Sequence, residues 1–166
     1  MITIGIDFGT TNTIISLYNK ETDTISEFEF GPGGDTTKFI KTAVNYNSTK
    51  RSHSIGIEAV EDKSGILIKS FKVYLAENNA TTDWSHDHTP LMVAKDFLKE
   101  LIQGENGLLN ESEVFGLEEQ LESLSYGVSI PAYWHNNELD TGHKSIKDIF
   151  TNSEYGLGIE ETSLRI

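Results

Sequence analysis

The stretch Ile2-Thr3-Ile4-Gly5-Ile6-Asp7-Phe8-Gly9-Thr10-Thr11-Asn12-Thr13-Ile14-Ile15-Ser16-Leu17 joins two runs of β-branched and apolar residues through a cluster of turn formers. Ile2 to Ile6 and Thr13 to Leu17 predict two strands of a hairpin, with Asp7 to Asn12 as a wide loop between them. An acidic residue closes the first strand and is followed at once by a glycine and two hydroxyl residues. That combination suits a phosphate and a hard cation. Gly9 lets the backbone approach closely, the turn amides and the hydroxyls of Thr10 and Thr11 can bond phosphate oxygens, and Asp7 can hold Mg²⁺ directly or through its water shell. The same residues also make an ordinary hairpin turn, so the motif alone leaves both readings open.

Outward from this hairpin, Thr24 to Phe30 predicts a further strand with Ile25, Phe28 and Phe30 as its apolar contacts, broken by the Gly31-Pro32-Gly33-Gly34-Asp35 cluster. Phe39 to Asn45 and Ser54 to Ile57 predict short strands around the polar hairpin from Asn47 to Ser52, and Glu58 to Lys63 a helical turn. Thr89-Pro90 is an oxygen-bearing cap followed by proline at the first helical position, and Ala94, Phe97, Leu98 and Leu101 fall at i, i+3, i+4, i+7. Together they predict a helix from about Pro90 to Gln103. Glu111 to Ser123 and Lys144 to Asn152 predict two more helices, Tyr126 to Ile130 a strand ending at Pro131, and Ser163 to Ile166 the start of another.

The chain has 166 residues, of which 13 are Lys or Arg and 26 are Asp or Glu, for a formal charge of −13. It has no cysteine, which excludes disulfides, a thiol nucleophile and Cys-rich zinc modules. An acidic chain repels a duplex backbone, so nucleic acid is not expected as a partner. MITIGIDFG lacks a basic region followed by a long apolar run, and no apolar stretch approaches the roughly 18 residues of a membrane span, so no membrane association is expected and a cytoplasmic location is the default. His86-Asp87-His88 beside Trp84 lacks a third ligand and is read as a loop.

IGIDFGTTNT resembles the first phosphate-binding hairpin of the actin, hexokinase and heat-shock protein 70 superfamily, and looks most like the DnaK-type chaperones. FIKTAVNYN, SIGIEAVED, SFKVYL and VSIPAYW fall in the order of similar segments in the N-terminal lobe of those proteins, so the resemblance covers nearly the whole chain. It implies an α/β, ribonuclease-H-like lobe with a mixed sheet, flanking helices and an inserted smaller subdomain, divided approximately as 1–38 and 105–166 for the core and 39–104 for the insertion. It places the magnesium-linked aspartate on Asp7 and the phosphate-contacting hairpin on Gly9, Thr10, Thr11 and Asn12. The active-site lysine falls on Lys72, with Lys69 as the rival. Pro131 matches the proline that relays nucleotide state between domains, whereas Leu139 stands where the family carries its partner arginine.

The resemblance further implies ATP or ADP and Mg²⁺ as ligands of the parent protein, hydrolysis by a positioned water, and unfolded polypeptide clients and co-chaperones as partners. The second lobe's Asp-x-Gly-Gly-Gly-Thr loop does not occur, so the chain is expected to be one lobe of a longer ATPase. Weak or absent nucleotide binding, little or no hydrolysis and self-association are the corresponding expectations for this piece alone. The alternatives are an actin-like filament protein, a small-molecule kinase of the same superfamily, or a non-enzymatic scaffold lobe.

Overall fold

The computed structural model describes residues 1–30, 37–47, 49, 52–76, 86–110, 124–131, 134 and 141–166. The opening hairpin forms as β1 (Ile2–Phe8) and β2 (Asn12–Asn19), paired antiparallel from Ile2 opposite Asn19 to Phe8 opposite Thr13. The predicted six-residue loop is shorter: Asp7 and Phe8 belong to β1, Asn12 belongs to β2, and only Gly9, Thr10 and Thr11 lie between them. Burial explains the extension. Ile2, Ile4, Ile6 and Phe8 alternate onto one buried face, and Phe8 is drawn into the core as the last step of that alternation.

β3 (Thr24–Glu27) adds antiparallel to β2. The predicted apolar contact from Ile25 does not form, because β3 lies at the sheet edge with all four residues exposed and Ile25 is 75% exposed. Phe28 is buried and meets Phe30 edge to face.

The predicted strand from Phe39 to Asn45 divides at Thr42 into two strands of different sheets. β4 (Ile40–Lys41) pairs with β2, whereas β5 (Ala43–Asn47) is the centre of a separate sheet between β6 (Ser52–Ile55) and β7 (Ile66–Lys69). Ile57 lies in a helix rather than a strand. Gly56, at φ +70°, turns the chain out of β6 into α1 (Gly56–Glu61), and a Cβ there would lie 2.7 Å from the Ile40 side chain. β7 was not foreseen; it leads through a 3-10 turn, Phe71–Leu75, toward α2 (Pro90–Gln103). Helix α2 has the predicted bounds, with the Thr89 hydroxyl accepting from the Met92 amide at 3.2 Å.

β8 (Ser125–Ser129) pairs parallel with β1, and β9 (Leu164–Arg165) parallel with β8, joined through α3 (Thr141–Thr151). The larger sheet therefore runs β3-β2-β1-β8-β9, antiparallel on one side of β1 and parallel on the other. One apolar cluster binds the inward faces of both sheets to α2 and α3, with Phe97, Leu98 and Ile102 from α2 and Ile146, Ile149 and Phe150 from α3. The fold is mixed α/β. The sequence-predicted helix from Glu111 to Ser123, the Gly31 to Asp35 break, Trp84 and Leu139 lie outside the described residues. Among the described residues no helix is long and apolar enough to cross a membrane.

Candidate functional site

At their carboxyl ends, β1 and β8 lie side by side and place Asp7 opposite Ser129 in the parallel register. Asp7 alternates away from the buried face, so its carboxylate is exposed at the strand end. The Ser129 hydroxyl donates to Asp7 Oδ1 at 2.6 Å. Immediately after, the chain turns at Gly9, where a Cβ would stand 2.2 Å from the Asn12 carbonyl oxygen. A backbone oxygen cannot swing aside as a flexible side chain can, so the tightness of this loop requires glycine. Gly9→Ala is expected to force the loop open and to cost about 1–3 kcal/mol. Urea unfolding of the variant measures this cost, and a midpoint equal to wild type would contradict the close approach.

The side chains of Thr10 and Thr11 are exposed, while the backbone behind them is anchored. The Thr42 amide donates to the Thr11 carbonyl at 2.9 Å, and the hydroxyls of Thr13 and Thr42 are 2.9 Å apart in a buried bond. Lys41 Nζ donates to Asn12 Oδ1 at 3.0 Å. The loop is thus held by the crossover between the two sheets, and a cation stands at its Asn12 end.

Lys72 reaches the same place from another part of the chain. Ser70, at φ +56°, takes the left-handed conformation at the end of β7, and the turn after it directs Lys72 inward. Its side chain is only 6% exposed, Nζ donates to the Phe8 carbonyl, and it lies 5.1 Å from the Phe8 ring centroid and 5.7 Å from that of Trp134. Burial pushes the ammonium's pKa down, and the negative charge of Asp7 partly opposes the shift. Lys69, by contrast, is exposed on β7, where it pairs opposite Ala43. Of the two lysines left open by the sequence, Lys72 is the one brought beside the hairpin, and it is not a solvated surface residue.

Pro131 comes just after β8, and its carbonyl accepts from the Trp134 amide at 3.0 Å. Trp134 is buried against Gly142 of α3, and its ring faces Lys72, so a backbone hydrogen bond and a ring contact link Pro131 to Lys72 through Trp134. Sequence reasoning assigned no role to Ser129, Lys41, Thr42 or Trp134. The partner of Ser129 lies 122 positions away.

The chemistry of this donor set fits a phosphate ligand accompanied by a hard divalent cation. Exposed loop amides and hydroxyls offer hydrogen bonds, Lys72 and Lys41 offer positive charge within an acidic chain, and Asp7 would repel a phosphate unless a cation intervened. The Asp7 carboxylate is too sparse a set for a fully protein-caged ion, which suits Mg²⁺ with most of its waters retained.

No family model and no curated protein sequence matches the chain. Among the solved structures that match it is the crystal structure of MreB5 of Spiroplasma citri bound to ADP, at 14% identity and a TM-score of 0.49. The match covers 99% of this chain and 37% of that one, so this chain spans well under half of the length of the solved relative.

Proposed function

We propose that this chain is the phosphate-binding lobe of an ATPase of the actin-like superfamily, with a ribonuclease-H-like sheet, and that it binds the phosphates of ATP or ADP with Mg²⁺. The observation that carries the reading is the convergence of Asp7, the Gly9 to Asn12 loop and the buried Lys72 at one end of the sheet, with Lys72 Nζ bonded to a carbonyl 64 positions earlier in the chain. Asp7 would hold the cation, the loop amides with Thr10 and Thr11 would bind phosphate oxygens, and Lys72 would supply positive charge toward the terminal phosphate. A bound Mg²⁺ would supply charge neutralisation there. A transferred phosphoryl group gathers charge on its outer oxygens, and a preoriented ammonium stabilises that charge without reorganisation.

In its finer form the reading takes up the sequence resemblance to the DnaK-type chaperones. The parent protein then couples its nucleotide state, through Pro131, to the binding of unfolded polypeptides. ATP-dependent release of an unfolded model polypeptide by the full-length protein supports that form, whereas nucleotide-dependent filaments in electron micrographs support the actin-like alternative.

The test of the phosphate site uses the chain itself, with amide chemical shifts monitored as MgADP is added. A single lobe supplies few contacts, so a dissociation constant of about 1 mM is expected, a binding free energy near −4 kcal/mol. The shifts should concentrate at Gly9, Thr10, Thr11 and the neighbours of Lys72. Shifts elsewhere, or none up to roughly 10 mM on the same scale, would overturn the proposal.

A further inference from the structure

Resting on that reading, the geometry points to Ser129 as a positioning residue that orients the Asp7 carboxylate toward the divalent cation. Asp7 stands at an exposed strand end, where a lone carboxylate turns freely about its side-chain bonds. The parallel register between β1 and β8 sets Ser129 directly opposite, and its hydroxyl donates to Oδ1 at 2.6 Å. A hydroxyl-to-carboxylate bond of this length is charge-assisted and short, strong enough to select one orientation. It engages one oxygen and so restricts the rotation of the carboxylate that carries the other.

A packing role does not account for the residue. Ser129 is exposed, so removing its hydroxyl opens no cavity, and surface substitutions of this kind move stability by no more than about 0.5 kcal/mol. A hydrogen-bond partner that orients a metal ligand behaves differently: its loss typically weakens metal affinity by about 10- to 100-fold. The two roles therefore give different readouts.

Mn²⁺ in the presence of ADP is a suitable probe, read as paramagnetic broadening of the Asp7 and Gly9 amide signals in the whole chain. Ser129→Ala is expected to weaken Mn²⁺ binding by about 10-fold with its thermal midpoint unchanged. Ser129→Thr, which keeps the donor, should restore binding to within roughly twofold of wild type by the same argument. Equal broadening in wild type and Ser129→Ala overturns the role of Ser129 and leaves the phosphate site standing. A parallel loss of stability and binding in Ser129→Ala, not rescued by Ser129→Thr, also overturns it in favour of a structural role. Absence of ADP-dependent broadening in wild type overturns the phosphate-site reading, and the role of Ser129 with it.

Discussion

Phe97→Ala should destabilise the chain by about 3–5 kcal/mol, a large part of the roughly 5–15 kcal/mol that a domain of this kind possesses. Phe97 is fully buried on α2, with its ring stacked on Phe8 at a centroid distance of 5.9 Å and tilted against Phe71 at 5.8 Å. Phe8 and Phe71 are themselves 6.2 Å apart, so the three rings close on one another. Truncation leaves a void bordered by aromatic rings and helix backbone, which cannot collapse into it without moving strand, turn and helix together. With a urea dependence of about 1–3 kcal/mol per molar, the midpoint should fall by at least 1 M or so. A loss below about 1 kcal/mol would mean that the three rings are not the junction they form here.

The consequence reaches the site through the residues next to two of these rings in the chain. Phe8 precedes Gly9, and Phe71 precedes Lys72, so the ring cluster joins the loop to the lysine. Phe97→Leu keeps most of the volume and should cost less than about 1.5 kcal/mol, leaving a folded chain in which the Gly9 loop and Lys72 are less firmly registered. Amide titration with MgADP should then show weaker binding in a protein that is still fully folded.

The parts of this arrangement that sequence made legible are the parts set by neighbours along the chain. The hairpin was visible in two β-branched runs, and α2 in its Thr89-Pro90 start and its periodic apolar face, because both signals are local. Asp7, Gly9, Thr10 and Thr11 stood out for the same reason. Ile25 misled because its burial depends on whether another element covers β3, and that is not encoded within a four-residue strand. Thr42 hid the change of sheet between β4 and β5, since both sides of it read as one extended run. Ser129 was invisible as a partner of Asp7, because parallel pairing across so long a connection leaves no pattern at either end. The burial of Lys72 was illegible too: it depends on the left-handed turn at Ser70 and on Trp134 arriving from after β8.

That burial leads to the most discriminating substitution. Lys72→Met should stabilise the chain at neutral pH by about 1 kcal/mol while weakening MgADP binding by at least about tenfold. A charge enclosed between the rings of Phe8 and Trp134 is poorly solvated, and a carbonyl contact with Phe8 compensates it only in part. Burial therefore lowers the Lys72 pKa from its ordinary 10.5, the value the unfolded chain regains. Between the lowered value and 10.5 the unfolded chain holds more protons, so the stability of the native protein rises with pH across that window. Below the window the full cost of the buried charge is present. Urea unfolding should accordingly find the advantage of Lys72→Met largest at neutral pH and diminished as pH approaches 10.5. Asp7 acts in the opposite sense, since its charge supports the protonated lysine; in Asp7→Asn the Lys72 pKa should fall further. A lysine kept for packing alone would be replaced by methionine with no loss of phosphate binding, and a lysine kept for stability would leave the variant weaker at pH 7. Greater stability joined to poorer binding is the outcome expected of a cation held in an unfavourable place because a phosphate is to meet it there.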